Sequence, residues 1–236
     1  MKPAHLAVLL SLIAAVLLLV AGPGARWGMW DFRAGFSLMR YAAYAGLAAA
    51  VLAAVLLALP RTRRAAVAPL LAALLLGLGV ALVPWSGMRQ ASTVPPIHDI
   101  STDTQRPPEF IAMLPVRADA PNSAVYEGAE IAQQQITAYP DLRTTRMAAA
   151  PAAAFERALQ AARDMGWDIV AADPAAGRIE ATDTTLWFGF KDDVVIRVEA
   201  DGAGSRVDVR SLSRVGGSDV GTNAKRIRAY LKKLGE

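Results

Sequence analysis

Three apolar runs dominate the first ninety residues and limit what the chain can fold into. They are Ala4–Val20, Ala42–Leu59 and Ala66–Val83, each about 17–19 residues long. A helix needs roughly 20 predominantly apolar residues to cross the hydrocarbon core of a bilayer. Charged residues lie between the runs, and aromatic residues cluster near their ends, as in an interfacial aromatic belt. The pattern predicts a membrane anchor over residues 1–88, with helices at about 4–22, 42–59 and 66–84.

Charge is divided unevenly along the chain. Residues 1–90 carry eight Lys/Arg and one acidic residue, whereas residues 91–236 carry 17 basic and 20 acidic residues. A nucleic-acid-binding domain needs a basic surface, so the acidic balance of the second part argues against a nucleic-acid partner. The chain contains no cysteine, which excludes disulfides, thiolate nucleophiles and cysteine metal ligands.

The arginines between the second and third runs predict the orientation of the anchor. Arg61, Arg63 and Arg64 fall within five residues, and short loops rich in Lys and Arg stay in the cytoplasm. Lys2 then lies inside and the C-terminal domain outside, although the loop Arg26–Tyr41 also carries arginines. Residues 1–25 could instead be a signal peptide, but the domain ends on the same side in either case.

The membrane runs predict an anchor more than a transporter, because they carry no acidic or basic residue at their centres. Small residues such as Gly46, Gly77 and Gly79 permit close helix packing. Two partners are therefore considered for these helices: the lipid bilayer, and a membrane-protein complex that docks on the small-residue helix faces.

Residues 89–96 are predicted to be a linker, stiffened by Pro95-Pro96, and residues 97–236 a separate domain. Helices are predicted at Ala129–Ala138, Pro151–Met165 and about Val220–Leu234. Period-two alternation predicts four strands at Trp167–Ala172, Arg178–Thr185, Asp193–Ala200 and Ser205–Ser213. The expected fold class is α+β: three transmembrane helices followed by a four-stranded antiparallel sheet packed by helices on one face. The basic residues of the last helix, including Arg226, are expected to face solvent.

Several long runs of this domain resemble a known family. They are PPIHDISTD (95–103), AYPD (138–141), MGWDIV (165–170), GRIEATDTTLWFGFKDDVVIRV (177–198) and SRVDVRSLSRVGGSDVGTNAKRIRAYL (205–231). Over about residues 95–234 the chain resembles the bacterial domain-of-unknown-function 1499 family. The resemblance implies a bacterial protein and supports the domain boundary, and it implies no activity, cofactor or catalytic residue. Together with the predicted orientation of the anchor, the expected location is the bacterial inner membrane, with the domain in the periplasm.

Polar residues gather where the predicted strands end. The end of the second strand and the start of the third meet in an antiparallel pair, and the fourth strand returns to the same edge. The residues expected there, called the strand-end rim, are Asp183, Lys191, Asp193, Ser211, Ser213, Arg214 and Ser218. Trp187 and Phe188 are expected to form an aromatic wall beside it. The rim could hold a ligand or partner, or it could be a set of salt bridges with a purely structural role.

His98, next to Asp99, is predicted to be a structural loop residue. The only other histidine is His5, so no histidine-rich metal site is expected, and neither metal nor cofactor is predicted. Three functions remain open. The first is a non-catalytic ligand- or partner-binding domain at the periplasmic face, and the second is an accessory or assembly subunit of a larger membrane complex. The third, an undescribed hydrolase, requires residues such as Asp183, Asp193, Arg214 or His98 to converge.

Overall fold

A computed structural model describes residues 3–235. The helices are α1 (Pro3–Arg26), α2 (Phe32–Ala58), α3 (Pro60–Ala91), α4 (Met113–Val116), α5 (Ala129–Ala138), α6 (Pro151–Asp164) and α7 (Thr222–Gly235). The strands are β1 (Asp99–Ser101), β2 (Thr145–Met147), β3 (Asp168–Asp173), β4 (Arg178–Thr184), β5 (Lys191–Asp201) and β6 (Gly204–Ser213). Lys2 lies outside the described residues, so its cytoplasmic position stays a prediction.

The chain forms two compact units. The first contains the residues up to Gln90 together with Leu186–Gly189, and the second contains Ala91–Thr185 and the residues from Phe190 onward. The first unit holds α1, α2 and α3, which are 24, 27 and 32 residues long and apolar enough to cross a membrane. Exposed apolar side chains such as Leu19 and Leu75 lie on the outside of these helices.

The sequence predicted a loop between the second and third membrane helices, and this prediction is wrong. Pro60 begins α3, and the three arginines that follow are helical. Proline suits the first turn of a helix, because its fixed φ matches the helix and its missing N–H would have had no partner there. The helical dihedrals break at Ala66, where φ is −153° and ψ is 35°.

Glycines allow close packing within the first unit. A Cβ on Gly77 would lie 2.4 Å from the carbonyl oxygen of Gly46, so α2 and α3 meet with no side chain between them. Trp187 lies over Gly22, where a Cβ would come within 2.4 Å of its Cδ1. The Phe188 ring lies 4.9 Å from that of Phe36.

The second unit is built on an antiparallel sheet of six strands rather than the four that were predicted. The strand order is β1-β6-β5-β4-β3, and β2 also pairs with β6. The two unpredicted strands, β1 and β2, have three residues each and pair with opposite halves of β6. The α+β fold class is confirmed.

Helices α6 and α7 pack on one face of the sheet, as expected. Their inward residues include Phe155, Ala158 and Ile227, which join Ile196 and Val209 of the strands in one buried core. Tyr230 stacks on Trp167 at 5.2 Å and donates its hydroxyl hydrogen to the carbonyl of Ala158 at 3.0 Å.

The other face of the sheet carries charged residues and is partly covered. Phe110 and Met113 pack there against Val195 and Leu212. Among the charged residues of this face, Glu180 is fully buried. Charges buried in this way require partners, and those partners define the candidate sites.

Candidate functional site

Strand alternation divides the strand-end rim between the two faces of the sheet. Asp183 and Asp192 are paired on β4 and β5, and both contact Arg226 of α7 on the helix-covered face. Arg226 Nε lies 2.6 Å from Asp183 Oδ2, and its Nη2 lies 2.6 Å from Asp192 Oδ2. Arg226 is only 5% exposed, so its predicted place on a solvated face is wrong. Two facing carboxylates repel each other, and a guanidinium between them compensates both charges.

The serines of the rim belong to the same buried network. Ser211 Oγ donates to Asn223 Oδ1 at 2.8 Å, and Asn223 Nδ2 donates to Ser213 Oγ at 3.1 Å. The same Nδ2 donates to the carbonyl of His98 at 2.9 Å. These bonds connect β6 to α7 and to the chain just before β1.

Asp193 faces the opposite side of the sheet and is fully buried. Arg214 holds it in a bidentate pair, with Nη2 2.7 Å from Oδ1 and Nε 2.9 Å from Oδ2. Thr182 Oγ1 donates to the same carboxylate at 2.9 Å, and Arg117 Nε lies 3.4 Å from Oδ2.

The side chains of the remaining predicted residues take part in neither cluster. Lys191 is exposed, and its carbonyl accepts from Arg214 N at 3.0 Å. Ser218 Oγ accepts from Val220 N at 3.2 Å, within the turn before α7. Trp187 and Phe188 belong to the unit that contains the membrane-length helices. The structure thus forms two separate arginine–aspartate clusters, and ligand binding at the rim stays a prediction.

His98 is largely buried at 9% exposure, and its Nε2 lies 3.6 Å from Glu127 Oε1. The carboxylate of Asp99 is held by Arg210, through bonds of 2.9 and 2.7 Å. Between residues 3 and 235, no three or more His, Cys, Asp or Glu side chains are arranged to hold a metal ion.

A cleft of about 390 Å³ opens on the sheet face opposite α6 and α7. The chain at Arg106–Ile111 forms one wall, and β4 and β5 form the other. Its charged lining consists of Arg106, Glu109, Arg178, Arg197 and Glu199, and its apolar lining includes Pro107, Pro108, Ile111 and Val195. Arg178 pairs with Arg197, and Glu180 with Val195, across the two strands. Their side chains therefore share this face.

The arginines of the cleft differ in how fully they are engaged. Arg197 donates to Asp103 and Asp208 at 2.8 Å each. Burial lowers its pKa, but these carboxylates outweigh that effect and hold the pKa above its ordinary value. Arg106 pairs with Glu199. Arg178 is less engaged: within residues 3–235 only its Nε donates, to Glu180 Oε1 at 3.1 Å.

Glu180 fixes the wall of the cleft. Its carboxylate accepts the backbone N–H groups of Ile111, Ala112 and Met113 at 2.8–3.1 Å. These amides lie at the start of α4, where N–H groups lack partners within the helix. The buried carboxylate thus holds the covering segment on β4.

A family model described as a protein of unknown function, DUF1499, matches residues 99–234. The chain belongs to the DUF1499 family. No curated protein shows significant similarity to it. The membrane-length helices lie outside the matched range, whereas the cleft and both arginine–aspartate clusters lie inside it. These sites are therefore features of the DUF1499 domain.

Sequence reasoning missed the cleft of the DUF1499 domain. The available signals were the Pro107-Pro108 pair, which keeps the chain extended, and the charged alternate residues of β4 and β5. The alternation shows that Arg178 and Arg197 share a face. It does not show that residues 106–111 cross that face, because this contact joins segments distant in sequence.

Proposed function

We propose that this chain is a bacterial inner-membrane protein whose periplasmic domain binds a ligand or partner without catalysing a reaction. The observation that carries the proposal is the cleft beside Arg178. Its volume of about 390 Å³ falls within the roughly 300–1,000 Å³ range of small-molecule sites. Half of its lining residues are charged and half are apolar, so polar groups able to orient a ligand lie beside apolar surface.

The lining favours a ligand with one anionic group and an apolar body. Arg178 keeps its Nη groups for an external acceptor, and its side chain is 28% exposed. A guanidinium offers paired N–H donors that match a carboxylate or phosphate. Pro107, Pro108 and Val195 offer an apolar surface to the rest of the molecule.

The ion pairs support binding over hydrolysis. A general base must be within reach of the proton that it removes, yet the rim carboxylates already accept from arginine. Asp183 and Asp193, two residues that a hydrolase site could bring together, point to opposite faces and pair with Arg226 and Arg214. Asp99, the neighbour of His98, is held by Arg210.

The helix glycines bear on the alternative, an accessory subunit of a larger membrane complex. Gly46 and Gly77 pack against each other within the chain, whereas a Cβ on Gly79 would have nothing within 4 Å. Of the three glycines considered for assembly, Gly79 is therefore the one left open to a partner helix. If Gly79→Val changes the set of co-purifying proteins, the accessory role gains support over the binding role.

Orientation can be tested with reporters fused after Glu236. The arginines at 61, 63 and 64 support a cytoplasmic position for the start of α3, which leaves the C-terminus in the periplasm. A phosphatase that is active only in the periplasm is expected to be active in this fusion. Activity from a reporter that works only in the cytoplasm would reverse the orientation.

Ligand binding can be tested by native mass spectrometry of the full chain extracted from its own membrane. The wild type is expected to carry a bound small-molecule mass that Arg178→Gln loses. Arg163→Gln, on the exposed face of α6, removes the same charge far from the cleft and is expected to retain it. Ala176→Trp fills the cleft while leaving the Arg178–Glu180 pair intact, so it should lose the mass as well. Identical masses in all four proteins would refute the cleft as the binding site.

A further inference from the structure

Arg117 is a buried cation that follows α4 directly. Its side chain is 3% exposed, and its backbone N–H donates to Met113 O at 3.0 Å. Arg117 does not line the cleft, and it lies beside Asp193. Burial lowers the pKa of this guanidinium, and the nearby Asp193 opposes that effect. Arginine remains charged in proteins even so, and its donors therefore need acceptors.

Those donors are only partly used. Nη2 of Arg117 donates to the carbonyl of Asn122 at 3.1 Å. Nε and Nη1 are buried and make no hydrogen bond to any residue between 3 and 235. Nε lies 3.4 Å from Asp193 Oδ2, but that oxygen already accepts from Arg214 Nε at 2.9 Å.

The surrounding charges leave an excess of one positive charge. Arg210 approaches the same Phe110 ring as Arg117, at 5.2 and 5.5 Å from the ring centroid. Arg210 is compensated by Asp99, and Arg214 is compensated by Asp193. Each carboxylate thus has its own arginine, and Arg117 is the third guanidinium beside two acids.

A second buried donor lies next to Arg210. The ring of Tyr126 lies 5.4 Å from the Arg210 guanidinium carbon. Its hydroxyl is buried and has no hydrogen-bond partner within residues 3–235. Burial raises the pKa of Tyr126 to about 12, so the hydroxyl keeps its proton at neutral pH. Asp99 and Glu127 also raise this pKa and Arg210 lowers it, so the Tyr126 hydroxyl is a second buried donor without an acceptor among the described residues.

We propose that Arg117 binds a small monovalent inorganic anion of the halide class through its Nε and Nη1 groups. A buried charged donor without an acceptor is strongly destabilising, so a partner is required. Water could also accept these bonds, because carboxylate and carbonyl oxygens that already accept one hydrogen bond can accept another, but water carries no charge to offset the third guanidinium. A halide only accepts, and its single charge balances the excess. The low exposure of the side chain favours an ion of one atom over a larger carboxylate or phosphate.

The first test compares anions in solution with the full chain in detergent. After exhaustive dialysis into gluconate, chloride is added at constant ionic strength and pH, and the thermal unfolding midpoint is measured. We expect the midpoint to rise with the logarithm of chloride concentration, because the ion binds the folded state. Arg117→Met removes both the donors and the excess charge, and should abolish the shift. Arg163→Met, an exposed change of the same type, should keep it.

The second test is crystallographic and remains decisive if Arg117→Met does not fold. Crystals of the full chain grown in bromide are expected to show an anomalous peak within hydrogen-bonding distance of Arg117 Nε or Nη1. A water molecule there, with no anomalous signal, would overturn the proposal. An equal chloride shift in foldable Arg117→Met would do the same, because the anion would then act elsewhere.

Discussion

Asp192 and Asp193 are neighbours in sequence, yet each pairs with a different arginine on a different face of the sheet. Arg226 Nη2 reaches Asp192 Oδ2 at 2.6 Å beneath α7, and Arg214 Nη2 reaches Asp193 Oδ1 at 2.7 Å on the other side. The start of β5 is thus held from both faces. The two acids belong to separate clusters and do not form a catalytic dyad.

Arg226→Met is expected to destabilise the DUF1499 domain strongly. The change leaves Asp183 and Asp192 facing each other without a cation, and breaking a buried pair costs about 3–5 kcal/mol. Arg228→Met is the matched control, because Arg228 forms a half-exposed pair with Asp141; such pairs contribute roughly 0–1 kcal/mol. Hydrogen exchange of the β5 and β6 amides in the full chain would measure the loss of stability in Arg226→Met and in Arg228→Met. Equal losses would contradict a special role for Arg226.

Glu180→Gln is expected to loosen the segment that forms the cleft wall. The amide has one acceptor oxygen where the carboxylate has two, so the N–H groups of Ile111, Ala112 and Met113 cannot all remain satisfied. An unsatisfied buried group costs about 1–3 kcal/mol, and these three amides should exchange faster. Glu199→Gln removes a charge from the same face and should leave them unchanged. Unaltered exchange in Glu180→Gln would show that the carboxylate does not hold the segment.

Asp219 is expected to give the domain a stability that falls with rising pH. Burial raises its pKa above the ordinary 3.8, although it accepts from the N–H groups of Gly221 and Asn223. The folded state therefore keeps the proton to a higher pH than the unfolded state. The resulting stability is fully present below the ordinary pKa and is lost as pH rises through the folded value.

The measurement is the difference in unfolding free energy between wild type and Asp219→Asn, from urea titrations between pH 4 and 7. As pH rises, the unfolding free energy of the wild type should fall relative to that of Asp219→Asn, because the asparagine does not titrate. Contributions of the other carboxylates largely cancel between the two proteins. A flat difference, or one that favours the wild type at higher pH, would contradict the raised pKa.

The long strands were predictable from the sequence because their alternation is local. The predicted Arg178–Thr185 and Ser205–Ser213 correspond to β4 and β6 within one residue at each end. The strands β1 and β2 were missed because three residues cannot display a period of two. They exist through pairing with β6, which lies more than fifty residues away in sequence.

The candidate sites were less predictable, since their charges are paired by tertiary contacts. Alternation alone places Asp192 and Asp193 on opposite faces. Arg226 lies in a basic run typical of a solvated helix face, and only the approach of α7 to the sheet places it between two aspartates. The burial of Arg117 likewise depends on the fold around α4, so its missing acceptors could not be inferred from sequence.

Gly177 and Gly202 form a matched pair for testing the turn that precedes β4. Both have left-handed φ angles, +60° and +61°, so alanine at either position costs about 1–2 kcal/mol in backbone conformation. A Cβ at Gly177 would also lie 2.1 Å from the carbonyl oxygen of Val198, whereas one at Gly202 would meet nothing within 4 Å. Overpacking against backbone adds a further penalty, so Gly177→Ala should lose on the order of 3 kcal/mol. Urea unfolding of the full chain, followed by circular dichroism, would compare the unfolding free energies of Gly177→Ala and Gly202→Ala. If both variants lose the same amount, the turn at Gly177 relieves the contact by moving away from β5.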